Sequence, residues 1–167
     1  MNLDRIVGTA WCYGDNINTD LIYPGRYLSI TTPSEMAKHA LEGLDIEFSK
    51  KVQKGDVLVA GSNFGSGSSR EQAAMCLKHT GLGAIVAVSF ARIFYRNIIN
   101  QGVPAIISQV AVKIVRSGDS IELDFTTCQL KNLTTGDTCT FEPIPEFLQD
   151  IIKAGGYIQY LRKRLMV

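Results

Sequence analysis

Residues 61–70 read GSNFGSGSSR and hold three glycines, four serines and one arginine. Each residue type suits one task. Glycine lets backbone approach a ligand closely and adopt positive φ. Arg70 offers a planar fork of donors that matches a carboxylate, and Ser68 and Ser69 place two adjacent hydroxyls beside it. The chain then runs into EQAAMCLKHT, a helix-forming stretch. The loop therefore ends where helix N–H groups and the helix dipole favour an anion. A phosphate loop would close on Gly-Lys-Ser or Gly-Lys-Thr, and this loop has no lysine. A dinucleotide fingerprint starting at Gly65-Ser66-Gly67 would need glycine where Arg70 stands. Neither template fits, and the combination of Arg70 with two adjacent hydroxyls suggests a small carboxylate. A local role competes: Ser68 and Glu71 have the spacing of a capping box, and Ser69 with Gln72 gives a second register. A cap uses one hydroxyl and one acid, so the rest of the loop still asks for a ligand.

The flanking segments say where the loop sits. DVLVAG (56–61), entered through the turn Lys54-Gly55-Asp56, is nearly continuous in apolar residues, as a strand buried on both faces must be. After the loop, a helix from about Ser69 to Thr80 stops at Gly81. GAIVAVS (83–89) repeats the buried-strand pattern. FARIFYRNIINQG (90–102) sets Phe90, Ile93, Phe94 and Ile98 at helical spacing and ends at Gly102, and VPAIIS gives a third short strand. This alternation predicts a parallel sheet with right-handed crossovers, and the loop leaves the C-terminal end of a strand, where such sheets bind ligands.

Upstream, residues 4–13 suit a first strand, and DNINTDLIYPGRYLSI is irregular and broken by Pro24. Thr32-Pro33-Ser34-Glu35 is a capping box that opens a short helix carrying Met36, Ala37, Ala40 and Leu41, with Gly43 as its stop. Downstream the character changes. IELDF (121–125) alternates strictly, and TTGD (134–137) reads as a hairpin turn between CQLKNL and TCTF. Pro143 and Pro145 lead into EFLQDIIKAGGYIQYLRKR, helical with an interruption at Gly155-Gly156. With no repeat, linker or low-complexity tract, residues 1–167 read as one α/β domain with an appended antiparallel portion.

Composition narrows the function. With 17 basic and 16 acidic residues the net charge is +1, so no electrostatic footprint for nucleic acid or an anionic membrane is present. The one basic knot, Arg162-Lys163-Arg164, lies in the last turn of a C-terminal helix and reads as a solvated tail. The first residues lack the pattern of a signal peptide, and GLGAIVAVSFA is too short to span a bilayer, which points to the cytoplasm. Cys12, Cys76, Cys128 and Cys139 form no C-x-x-C pair, and neither His39 nor His79 stands at ligand spacing from them. No metal or other cofactor held by this chain is expected.

GSNFGSGSSREQAA, its continuation GAIVAVSFARIFYRNIINQGVP, and the upstream GDNINTDLIYPGRYL together resemble the 3-isopropylmalate dehydratase small-subunit family of the aconitase superfamily. The resemblance covers nearly the whole chain, including the AGG-x-x-x-YL ending. It implies a swivelling β/β/α domain of the aconitase type, a mixed sheet with flanking helices. It also implies a large partner subunit that carries a [4Fe-4S] cluster, one iron acting as Lewis acid on the substrate hydroxyl and carboxylate. The reaction implied is dehydration and rehydration of a malate derivative. On the family pattern Ser68 matches the serine whose alkoxide takes a proton from carbon, and Ser69 and Arg70 match residues that hold a substrate carboxylate. Asp20 matches an acid that orients a histidine across the subunit boundary; an Asx-turn role in the loop is the competing reading.

The family places the loop after Tyr27-Leu28 near the variable substituent of the substrate. Here that loop is Ser29-Ile30, where members acting on a tricarboxylate such as homoaconitate resemble one another in having arginine. An alkyl-malate is the better fit, with 3-isopropylmalate and leucine biosynthesis first. The direction of Arg26, just upstream, is open. Substrates such as 2,3-dimethylmalate and citraconate or methylmalate stay in range, because one or two methyl groups discriminate by only roughly 1–3 kcal/mol. A carboxylate-binding module without catalysis is the distant alternative.

Overall fold

The centre of the fold is made of residues that are apolar on both sides of a strand. In the computed structural model, which describes residues 3–165, β1 (Arg5–Cys12), β2 (Val57–Ala60), β3 (Ala84–Ala87) and β4 (Ala105–Ile107) run parallel in the order β4-β3-β2-β1. Every residue of β2 and β3 is buried. Successive side chains alternate between faces. Leu58, Ala60, Ile85 and Ala87 therefore feed one core, and Val57, Val59, Ala84 and Val86 feed the other.

β1 joins the two halves of the sheet. Its end, Ala10–Cys12, pairs parallel with β2, whereas Arg5–Thr9 pairs antiparallel with β5 (Ser120–Asp124). β6 (Gln129–Asn132) and β7 (Thr138–Thr140) continue the antiparallel side, giving a mixed seven-stranded sheet. The first core lies under α1 (Thr19–Ile22), α2 (Pro33–Ala37), α3 (Phe48–Lys51), α4 (Glu71–His79), α5 (Arg92–Asn100) and α7 (Glu146–Ala154), with α8 (Tyr157–Leu165) packed on α7. On the second face α6 (Gln109–Ile114) touches both β3 and β7, which stand far apart in the strand order, so the sheet curls around it. No helix among the described residues is long and apolar enough to cross a membrane.

The elements differ from expectation at their ends. α4 starts at Glu71 and α5 at Arg92, because Arg70 and Ala91 are extended and Phe90 is held in a bridge to Phe64. The buried stripe of α5 is Phe94, Ile98 and Ile99, and Ile93 is 43% exposed. The helix after Thr32 ends at Ala37, and the chain turns at Leu41, whose φ is +57°; the Thr32 hydroxyl makes no cap bond. α1, α3 and α6 are four to six residues long, too short to show a period. Ser108 does mark α6, its hydroxyl accepting from the Ala111 N–H at 3.1 Å. The TTGD turn and the break at Gly155-Gly156, where Gly155 is left-handed, lie where the sequence sets them.

Asp56 pins the start of β2 to β1 and is 4% exposed. It accepts from the Thr9 N–H (3.0 Å), the Gln53 N–H (2.8 Å) and the Trp11 indole N–H (2.9 Å). Removing the carboxylate strands three donors, each expensive to leave unpaired when buried. Asp56→Ala should lower the unfolding free energy by about 3 kcal/mol in a urea titration; a loss below about 1 kcal/mol would mean that water satisfies those donors.

Candidate functional site

Beyond the C-terminal ends of β1 and β2 the two segments stay together as an irregular ladder. Gly61 N–H donates to the Gly14 carbonyl (3.0 Å), Asn16 N–H to Ser62 (2.8 Å), Gly65 N–H to Ile17 (2.7 Å) and Thr19 N–H to Ser66 (2.8 Å). The Asp15 carboxylate accepts from the Ser62 N–H at 2.5 Å. Gly65 has φ +77°, and a Cβ there would stand 2.1 Å from the Phe94 ring. Phe64 meets Phe90 and Phe94 edge-on, with centroids 6.0 and 5.2 Å away, so the loop rests on an aromatic floor.

The ladder brings Thr19 and Asp20 against Ser68 and Arg70. Thr19 is 1% exposed. Its Oγ1 accepts from the Ser68 N–H at 3.1 Å and lies 3.1 Å from Ser68 Oγ, while Ser68 itself is exposed. The Arg70 guanidinium donates to the Asp20 carboxylate. That pair is open on the acid's side, with the Asp20 side chain 63% exposed. An ion pair so placed contributes at most about 1 kcal/mol, so another carboxylate can take Asp20's position. Gly25 opens a 3-10 turn (Gly25–Tyr27), and a Cβ there would sit 3.7 Å from both terminal nitrogens of Arg70.

Neither capping register is used. Arg70 holds the N-cap position of α4, and no side chain caps it. The Ser68 hydroxyl turns to Thr19 instead, and the Ser68 N–H is spent there too, so the helix start lies two residues beyond the position expected for it. Ser69 is exposed, and its carbonyl accepts from the Asn97 amide at 3.5 Å. Ser29 is exposed, whereas Ile30 is half-buried against the main core. Among the described residues no hydrogen bond links Ser29 or Ile30 to Ser68 or Arg70; they follow the turn whose first residue flanks the guanidinium. The site thus offers a hydroxyl set by a buried hydroxyl, an exchangeable guanidinium and an uncapped helix start. Such a group has the chemistry to bind a carboxylate and to present an oxygen to the atom next to it.

The model of the aconitase C-terminal domain family matches residues 13–109, from the loop after β1 to the start of α6. A Thermotoga maritima 3-isopropylmalate dehydratase small subunit 1 is 53% identical over 159 residues, 95% of each chain. This chain belongs to the aconitase C-terminal domain family. An isopropylmalate/citramalate isomerase small subunit of Methanocaldococcus jannaschii is 46% identical over 96% of this chain and 95% of its own. A crystal structure of 3-isopropylmalate dehydratase from the same organism superposes with a TM-score of 0.92 at 44% identity, covering 97% of this chain and 96% of that one. The family match spans Thr19, Asp20, Ser68, Ser69 and Arg70 together.

Sequence reasoning missed Thr19 and the anchoring of the turn beside it. Asn18-Thr19-Asp20 carried the signal, since Asn18 caps α1 by accepting from the Asp20 and Leu21 N–H groups, both at 3.0 Å. The direction of Arg26 is set by Glu42, whose carboxylate accepts from Arg26 (2.6 Å) and the Tyr27 hydroxyl (2.6 Å) and contacts His39 Nδ1 (2.6 Å). Tyr27 stacks on His39 with centroids 3.7 Å apart. Arg26 is therefore turned into its own ion pair. A hollow of about 460 Å³ lined by Lys38, His39, Glu42, Ile46, Ser49 and Lys50 borders this cluster and contains none of the glycine-serine loop.

Among the described residues no three His, Cys, Asp or Glu side chains gather to hold a metal ion. Burial, helped by Asp119, pushes Cys12 up to about 11, and burial raises Cys76 and Cys139 as well, so these thiols rest protonated at neutral pH.

Burial alone would raise the Glu42 carboxyl, but hydrogen bonds from Tyr27, His39 and Arg26 outweigh it and hold it at about 2 against an ordinary 4.5. A folded value below the unfolded one stabilises above about pH 4.5, and that stability drains away as pH falls toward 2. Acid titration followed by NMR should shift the Tyr27 and His39 ring signals in that window, and Glu42→Gln should abolish the step. A first transition at the buried strands would locate the weak point elsewhere.

Proposed function

We propose that the chain is the small subunit of a two-subunit hydro-lyase that interconverts 2-isopropylmalate and 3-isopropylmalate by dehydration and rehydration, in leucine biosynthesis. The carrying observation is that Thr19, Asp20, Ser68 and Arg70 converge on one uncapped helix start, in a chain that matches named small subunits over nearly its full length. As a single swivelling domain it works in the cytoplasm on a larger subunit, as a heterodimer or heterotetramer. That partner bears the [4Fe-4S] cluster; among the described residues of this chain no three His, Cys, Asp or Glu side chains gather to hold one.

Within this reading the chain's residues divide the work. Arg70 exchanges Asp20 for a substrate carboxylate, and Ser69 adds a hydroxyl to the same group. Asp20, released, is placed to orient a histidine of the partner. Ser68, as alkoxide, takes the proton from carbon. The broken C–H bond leaves its electron pair in the new double bond as the hydroxyl departs from the neighbouring carbon as hydroxide or water, for which the partner's cluster would supply the Lewis acid. Addition in the reverse sense, with the two carbons exchanged, returns the proton and regenerates the alkoxide.

Ser29 and Ile30 face the variable substituent. Because Arg26 is engaged by Glu42, this loop carries no spare cation for a third carboxylate, which favours an alkyl group over the homoaconitate type. A broader reading has one observation behind it: the Methanocaldococcus jannaschii relative is named for both isopropylmalate and citramalate. Dimethylmalate and methylmalate lie within the same chemistry.

Co-expression with the cluster-bearing subunit tests the proposal. The isolated chain should be inactive and the pair active, fastest on isopropylmalate among isopropylmalate, dimethylmalate, citramalate and homocitrate. Preference for homocitrate would overturn the substrate assignment, and carboxylate binding without turnover in the pair would favour a binding module. Ser68→Ala should cut kcat by about 10²–10⁴-fold. Arg70→Lys, losing the fork, should raise KM by about ten- to a hundredfold.

A further inference from the structure

Thr19 lies beneath Ser68 with only one use for its proton. Its Oγ1 already accepts from the Ser68 N–H, and it makes no other side-chain hydrogen bond among the described residues than the 3.1 Å contact to Ser68 Oγ. A buried hydroxyl keeps its donor paired, and Thr19 is 1% exposed. Its O–H therefore donates to Ser68 Oγ, leaving the Ser68 proton free to point outward. The geometry is held by two sets of bonds, and the missing side chain of Gly67 leaves room for it. Thr19 N–H is fixed on the Ser66 carbonyl (2.8 Å), Asn18 caps the turn that Thr19 opens, and a Cβ on Gly67 would come within 3.2 Å of Thr19 Oγ1.

We infer that Thr19 is a positioning residue for the reaction: its hydroxyl aims Ser68 Oγ and stabilises that oxygen when it is deprotonated. This rests on the dehydratase reading above. When Ser68 Oγ accepts the substrate's C–H proton, the C–H electron pair goes to the new double bond, and Thr19 keeps its own proton throughout. A donor fixed in advance needs no rearrangement as charge appears or disappears, which is the logic of an oxyanion hole.

Two substitutions separate this role from packing. Thr19→Val keeps the shape and removes the hydroxyl; Thr19→Ser keeps the hydroxyl and removes a methyl. Paired with the large subunit, Thr19→Val should lower kcat by about a hundredfold with KM little changed, and Thr19→Ser should retain most of the rate. Near-normal turnover in Thr19→Val, or an equal loss in Thr19→Ser, overturns the assignment. Should Thr19→Val not fold, Thr19→Ala removes the same group. If the wild-type pair turns over no malate, the dehydratase reading falls by itself. The isolated chain still decides the contact: Ser68 amide exchange should quicken in Thr19→Val but not in Thr19→Ser, and unchanged exchange in Thr19→Val overturns it.

Discussion

The site exists because two loops keep pairing after their strands have ended. β1 and β2 are ordinary parallel neighbours, but the backbone bonds that continue through Gly14, Asn16, Ile17 and Thr19 hold the first loop along the second as far as Ser66. Loops in general lack such support, and their side chains wander. Here the spacing between Thr19-Asp20 and Ser68-Arg70 is fixed by main-chain hydrogen bonds, to which each residue contributes whatever its side chain. The chemistry is added on top of that frame.

The frame also explains why the loop is so rich in glycine and serine. Gly65 and Gly67 take positive φ; a side chain at Gly65 would strike Phe94, and one at Gly67 would crowd Thr19. The serines supply hydroxyls without bulk. Arg70 lies at the end of the loop, where the helix begins and where a guanidinium reaches both Asp20 and the turn at Gly25. The Asp20 pair holds the Arg70 guanidinium in place while the acid itself stays open to water. Around the corner, Glu42 is the less exposed partner: Tyr27 and His39 hold its carboxylate in place, and the bond it accepts from Arg26 sets the direction of that exposed side chain. Two arginines near one turn thus have different fates, set by how exposed their acids are.

Much of this was legible in the sequence. The unbroken apolar runs of β2 and β3 could only be buried strands, and the position of the loop between strand and helix followed from them. Ser68, Ser69 and Arg70 stood out by type, and Asp20 only by the family resemblance. What could not be read was mutual arrangement. Ser68 and Thr19 are 49 residues apart, and the local capping pattern around Ser68 gave a plausible but wrong partner for its hydroxyl. Hydrogen bonding within three residues is visible to pattern; hydrogen bonding across the sheet is not. Ile93 misled for a related reason, since helical spacing names a face without saying where the helix starts. The short helices α1, α3 and α6 lacked the length for any period to emerge.

The contact between Gly65 and the Phe94 ring makes the tolerance of α5 uneven. Its outward face, with Arg92, Ile93 and Arg96 exposed to water, can drift in sequence with little effect on the loop. Its inward face cannot, because any change in ring size at Phe94 is transmitted directly to the backbone that carries Ser66 to Ser68. The helix that supplies the ring thereby sets the resting height of the hydroxyls above the sheet.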